Sequence, residues 1–143
     1  MLNPSLFSSQ KEDWVTPQYL YDALNAEFVF DCDVAADAFN AKHYNYFSKT
    51  QDALKQKWRG VCWCNPPYGR GVDKWVAKAH AEAERGVVTV MLLPARTDTK
   101  YFHDYIYGQH EVRFLRGRLK FKGATNSAPF PSMIVIFKKE KEK

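Results

Sequence analysis

Val61-Cys62-Trp63-Cys64-Asn65-Pro66-Pro67-Tyr68-Gly69 decides how the rest of the chain is read. Its first four residues are apolar, β-prone and uncharged, the pattern of a short buried strand. The two prolines after Asn65 cannot donate to a ladder and fix φ twice, so the chain leaves the sheet there in an extended geometry. The Asn65 amide and the carbonyls beside it are thereby held at the carboxyl end of a strand, where open α/β sheets bind ligands. Tyr68 adds a flat ring on the same stiff arm, and Gly69 and Gly71 release the chain into a helix. An amide, two carbonyls and an aromatic plane at that place suit a planar substrate bearing an exocyclic amino group. As a lone tetrapeptide the stretch would also serve as ordinary turn punctuation, so its surroundings carry the decision.

Downstream, Val72, Trp75, Val76, Ala79 and Ala83 mark one face of an amphipathic helix, and Gly86 ends it. Val87 to Leu93 is a near-continuous β-branched and apolar run, as in a central strand covered on both faces. Pro94 to Asp98 leaves that strand, and residues 99–107 are predicted as a helix packing Phe102 and Ile106. Val112 to Leu115 and Ser132 to Phe137 are predicted strands with no helix between them, which implies an antiparallel hairpin at the sheet edge. Upstream, Thr16 is a good N-cap and Pro17 a good first helical residue. The helix they open carries Leu20, Ala23 and Leu24 and ends near Glu27. Phe28 to Cys32 is the predicted first strand, with Asp31, Asp33 and Asp37 clustered at and just past its end. Acids there either accept from a ribose or ammonium group or cap the next helix. Residues 40–50 leave room for a short strand, and 51–57 for a weak helix. The expected fold is α/β: a mostly parallel sheet, helices on both faces, right-handed crossovers and an antiparallel C-terminal edge hairpin. Residues 1–13 are expected to be a flexible arm, 14–137 a single domain and 138–143 a charged tail.

The 143 residues suffice for one domain with a real core, and 45% apolar content excludes a disordered chain. A net charge of +5 and a pI near 9.1 allow a polyanionic partner without demanding one. The longest apolar run, Val87 to Ala95, is too short to span a bilayer, and no charged-then-apolar leader opens the chain. Cys32, Cys62 and Cys64 lack zinc-ligand spacing, and their odd number argues against a disulfide framework. They are expected to be small buried hydrophobes in a reducing cytoplasm. No metal site is expected.

Asn65-Pro66-Pro67-Tyr68 is accompanied by Thr16-Pro17, by Asp31 to Ala36, by Gly117-Arg118-Leu119-Lys120-Phe121 and by Ala128-Pro129 with Pro131-Ser132. In this order the set resembles the phage-type DNA N6-adenine methyltransferases, the phage Dam family, over residues 14–137. The resemblance implies a Rossmann-like methyltransferase catalytic domain, truncated relative to larger methyltransferases. It implies S-adenosylmethionine as cofactor, double-stranded DNA as partner, and the cytoplasm (of a host, if phage or prophage encoded) as location. Asn65, Pro66, Pro67 and Tyr68 would be the catalytic motif. Thr16 and Pro17 would touch the methionine part of the cofactor. Asp31, Asp33 and Ala35 belong to an acid-x-Ala-small cofactor motif, with Asp33 in the acid's place. Asp52 would accept from the cofactor's adenine amino group, though it also suits a solvated charge at a helix N-terminus. Ala38-Phe39-Asn40 departs from the family by standing where Gly-x-Gly is usual.

The chemistry implied is methyl transfer to a poor nucleophile. Asn65 Oδ1 and the Pro66 carbonyl can each accept one hydrogen of an adenine amino group, which localises the nitrogen lone pair. A duplex hides that nitrogen, so the base must be extruded, and Tyr68 is expected to stack on it or else to plug the turn and hold it folded. Arg113, Arg116, Arg118, Lys120 and Lys122 put five cations in ten residues. They are expected to track phosphates, with Arg96 and Lys100 as further candidates, or else to solvate an edge strand. Two other readings compete: methyl transfer to an RNA base or a protein glutamine, and a non-catalytic nucleic-acid-binding relic. Neither the recognition sequence nor the oligomeric state is legible.

Overall fold

A computed structural model describes residues 14–140. The expected N-terminal arm lies outside the described residues, as does the end of the charged tail. The elements are α1 (Gln18–Phe28), β1 (Cys32–Asp33), β2 (Val61–Cys64), α2 (Val72–Glu84), β3 (Val88–Pro94), β4 (Glu111–Phe114) and β5 (Ser132–Phe137). Short 3-10 turns at Lys49–Gln51 and Ala53–Lys55 replace the weak helix expected there, and a π-helical turn spans Phe102–Ile106.

The five strands form one sheet in the order β1-β2-β3-β5-β4. β1 pairs with β2 and β2 with β3 in parallel, whereas β5 is antiparallel to both β3 and β4. The sheet is therefore mixed, with two parallel and two antiparallel pairings, rather than mostly parallel. The expected antiparallel hairpin is present at one edge as β4 and β5, with β5 on the inside against β3 and β4 outermost. Its sequence explains this: Ser132 to Phe137 is buried throughout, whereas β4 is exposed or half-buried. A single parallel bridge, Asp33 to Tyr46, flanks β1.

Helices cover both faces. On one, Val76, Ala79 and Ala83 of α2 pack with Phe102 and Ile106 against Cys62, Cys64, Met91, Val135 and Phe137. On the other, Tyr21 and Leu24 of α1 pack against Trp63, Val90, Leu92, Ile134 and Ile136. Glu82 fastens α2 to the chain entering β2, because its carboxylate accepts from the Trp58 N–H at 2.8 Å.

Two expected boundaries move. Helix α1 starts at Gln18, with Pro17 as N-cap and no side-chain cap bond, so the Thr16 hydroxyl is free for another partner. The first strand is not Phe28 to Cys32, because Phe28 ends α1 and Val29 turns left-handed at φ 55°. Strand pairing begins only at Cys32. No α-helix links β1 to β2 among the described residues, and residues 34–60 cross over as an irregular wall.

Candidate active site

That wall encloses a cavity of about 530 Å³ at the carboxyl ends of β1 and β2. Asp33, Val34, Ala35 and Ala36 line it from β1, and Trp63, Asn65 and Pro67 from β2. Trp14 to Thr16, ahead of α1, form a strap along one side; Lys49, Asp52 and Ala53 border another, and Trp75 of α2 completes the floor. The size and the mixture of apolar and polar groups are those of a small-molecule site.

Asn65 occupies the site as the Pro-Pro arm dictates. Its Nδ2 donates to the Trp14 carbonyl and to Thr16 Oγ1, the latter at 3.0 Å. A carbonyl can only accept, so the nitrogen end of the amide must face the strap. Asn65 Oδ1 is then the free end: it is buried and has no hydrogen-bond partner among the described residues. Buried acceptors are rarely left open.

Asp33 is almost wholly buried, and burial pushes its carboxyl up to about 6, against the backbone N–H groups that favour the charge. Oδ1 accepts from the Ala35 N–H at 3.2 Å and Oδ2 from the Lys42 N–H at 3.0 Å. The acid thus shapes the loop around the cavity as well as lining it. Asp37 closes that loop, accepting from the N–H groups of Phe39 and Asn40 at 2.8 and 3.0 Å. These bonds organise Ala38-Phe39-Asn40 without the glycines usual there. Asp52 lines the cavity in a left-handed conformation, φ 51°, seldom adopted by a non-glycine residue.

Other expected site residues fall elsewhere. Asp31 does not line the cavity; its carboxylate accepts from the Val61 N–H at 2.9 Å, at the amino end of β2 and so at the opposite end of the sheet. Pro17, buried beneath the start of α1, and Pro66, buried between Asn65 and Pro67, are also absent from the lining. Tyr68 corrects the stacking expectation. Its ring is 1% exposed, edge-on to Phe121 and Phe130, and its hydroxyl donates to the Leu92 carbonyl at 3.1 Å. A ring so enclosed presents no face to a base.

The basic segment divides. Arg113 is spent on a bidentate pair with Glu27, both bonds 2.7 Å, and on Glu111, and its guanidinium lies over the Phe28 ring. These carboxylates push its pKa up and leave it no fork for a phosphate. Arg116, Arg118, Lys120 and Lys122 are exposed while Leu119 and Phe121 are buried, so the basic and apolar faces exist, but on an extended loop rather than a strand. Arg96, over the Phe130 ring, and Lys100 are exposed on the neighbouring segment.

Sequence reasoning missed the strap and Lys42. Trp14 lies edge-on to Phe121 and Phe130, and the Lys122 N–H donates to the Val15 carbonyl at 2.9 Å, so the basic loop and the strap are one unit. Lys42 lines the cavity with its Nζ on Gln18 Oε1 at 2.9 Å; burial, then nearby Lys122, lowers its pKa. Neither has a sequence signal, since a backbone carbonyl is the acceptor in one case and residues 40–50 show no periodicity in the other. Among the described residues no group of three or more His, Cys, Asp or Glu could hold a metal ion, and no helix is long and apolar enough to cross a membrane.

The family model described as DNA N-6-adenine-methyltransferase (Dam) matches residues 4–143. No curated protein matches the chain.

Proposed function

Because the chain belongs to the DNA N-6-adenine-methyltransferase (Dam) family, we propose that it moves a methyl group from S-adenosylmethionine to the N6 amino group of an adenine extruded from double-stranded DNA. The observation that carries this reading is the unpartnered, buried Oδ1 of Asn65 beside a nitrogen already committed to two acceptors. An amide held in that sense accepts a hydrogen and cannot offer one. An exocyclic amino group is the complementary donor. With the Pro66 carbonyl taking the second hydrogen, the amino nitrogen becomes more pyramidal and its lone pair turns toward the methyl group.

The donor set fits the cofactor. Asp33 offers a buried carboxylate at the end of β1, Ala35 and Ala36 leave the backbone approachable, and Asp52 adds a polar edge to the same cavity. When bound there, S-adenosylmethionine supplies an activated methyl group on a positively charged sulfur. The chain's own part is to orient the amino group, exclude water and accept hydrogen bonds from it; the amino nitrogen releases one proton to solvent after it has gained the methyl group. The exposed cations Arg116, Arg118, Lys120 and Lys122, with Arg96 and Lys100, would hold the phosphates. Tyr68 anchors the end of the Pro-Pro arm to β3 through its hydroxyl on the Leu92 carbonyl.

Transfer of tritiated methyl groups to DNA, RNA and protein, measured side by side, tests the reading. Label in DNA alone is expected. Label in RNA or protein moves the acceptor, and no label with intact cofactor binding replaces catalysis by nucleic-acid binding.

A further inference from the structure

We propose that Thr16 is a positioning residue for the reaction: by accepting the second Nδ2 hydrogen, its hydroxyl holds the Asn65 amide in the sense that the Trp14 carbonyl sets, with Oδ1 left unpartnered. The inference rests on the reading of Asn65 Oδ1 as the acceptor for the substrate's amino group. It gives Thr16 a role different from the cofactor contact that the family resemblance implies.

The two ends of a primary amide are nearly identical in shape and opposite in hydrogen-bonding sense. Rotated half a turn, Asn65 would present NH₂ to an incoming NH₂ group, donor against donor. Something must hold the productive sense before substrate arrives. The Trp14 carbonyl sets that sense because it can only accept, and Thr16 Oγ1, at 3.0 Å, takes the second Nδ2 hydrogen and holds the amide there. Both Nδ2 hydrogens are then used. Thr16 is 2% exposed, so water does not compete for the bond. Its hydroxyl is also not spent on capping α1, which has no side-chain cap bond. The strap is itself fixed from both sides. Lys122 N–H holds the Val15 carbonyl, Phe121 and Phe130 hold the Trp14 ring, and the Pro17 carbonyl accepts from the first turn of α1. The acceptors are thus in place before the amide needs them, which is what preorganisation requires of a site's supporting groups.

The test uses the full chain with Thr16→Val, which removes the hydroxyl at similar shape, Thr16→Ala as a smaller second variant, and Thr16→Ser, which keeps the hydroxyl. Steady-state methylation of bacteriophage DNA gives kcat and KM, calorimetry gives the S-adenosylmethionine Kd, and the ¹⁵N side-chain amide signals of Asn65 report its hydrogen bonds without turnover. Thr16→Val and Thr16→Ala are expected to lower kcat about three- to tenfold, the factor corresponding to one net hydrogen bond. The cofactor Kd and DNA KM should hold, one Asn65 amide proton should move upfield, and Thr16→Ser should restore both readouts. A raised cofactor Kd with kcat unchanged would make Thr16 a cofactor contact and overturn the proposal. So would failure of Thr16→Ser to rescue, a rate loss that merely follows melting temperature, or an Asn65 amide spectrum indifferent to the hydroxyl. Wild-type protein that methylates no DNA refutes the functional reading instead, and the amide signals still decide whether Thr16 orients Asn65.

Discussion

Asn65→Asp changes the chemistry of one atom and almost none of the side chain's volume. In the native site Nδ2 donates to the Trp14 carbonyl and to Thr16 Oγ1. The Thr16 hydroxyl can turn and donate to a carboxylate; the Trp14 carbonyl cannot. The ionised carboxylate of the variant would therefore press a negative oxygen against a buried carbonyl and leave that carbonyl unsatisfied. Losing the partner of one buried group costs about 1–3 kcal/mol, more where a charge is involved. We expect a destabilisation of about 2–3 kcal/mol at about pH 8, or roughly 5–10 °C in melting temperature for a chain of this size. The deficit should depend on pH. A protonated carboxyl donates its O–H to the Trp14 carbonyl and keeps the other oxygen as acceptor, so its folded pKa lies above the unfolded value near 3.9. Stability from that proton is fully present below the unfolded pKa and is lost as pH rises through the folded one. Both the melting deficit and the methylation deficit relative to wild type should shrink as pH falls from about 8 to about 5. Thermal melts and initial rates across that range measure both. A variant as stable and as active as wild type at about pH 8 would refute the claim that the Trp14 carbonyl sets the sense of the amide.

Four further outcomes are expected. Gly60→Ala should cost roughly 1–3 kcal/mol, because φ there is +66° and a Cβ would fall 2.3 Å from Asp31 Oδ2; thermal melts should show the loss while the cofactor Kd of the folded variant is unchanged. Arg118→Ala and Lys120→Ala should each reduce the slope of log K against log salt by roughly 0.9, whereas Arg113→Ala, losing its Glu27 pair, should leave the slope alone in the same titrations. Tyr68→Phe should lower stability by about 0.5–1.5 kcal/mol through the lost bond to Leu92, with rate per folded molecule unchanged; a tenfold rate loss in a stable variant would return Tyr68 to the reacting groups. Asp33, its carboxyl pushed up to about 6 by burial, contributes stability that is present below its unfolded value and lost as pH rises through about 6. Asp33→Asn should flatten that part of the melting profile.

Much of the fold was legible because its signals are local. Val61–Cys64 and Ser132–Phe137 match the expected strands residue for residue, and α2 follows its apolar stripe to within one residue. What escaped depends on distance along the chain. The edge hairpin was legible, since β4 and β5 pair antiparallel at one edge, but not that its second strand, β5, would be the one placed beside β3. Phe28 to Cys32 has strand-like composition, yet Phe28 completes the apolar side of α1 and Val29 turns the chain away. Of the acids near β1, the sequence could not say that Asp31 serves the far end of the sheet while Asp33 faces the cavity, because strand register decides it. Asn65 was legible from its two prolines. Its orientation was not, since that comes from a backbone carbonyl and a hydroxyl some fifty residues earlier. Tyr68 misled because stiffness of the arm was equated with exposure of its ring, whereas Phe121 and Phe130 close over it.

The most direct test of the account is nucleoside analysis by mass spectrometry of DNA treated with S-adenosylmethionine and either wild-type protein or Asn65→Ala, alongside cofactor binding by both. The account predicts N6-methyladenine from the wild type, and from Asn65→Ala a yield lower by about 10²–10³ in rate with cofactor affinity retained, by analogy with removal of one oriented hydrogen-bonding group. Methyl groups on another base, or N6-methyladenine formed equally well without the Asn65 amide, would contradict it.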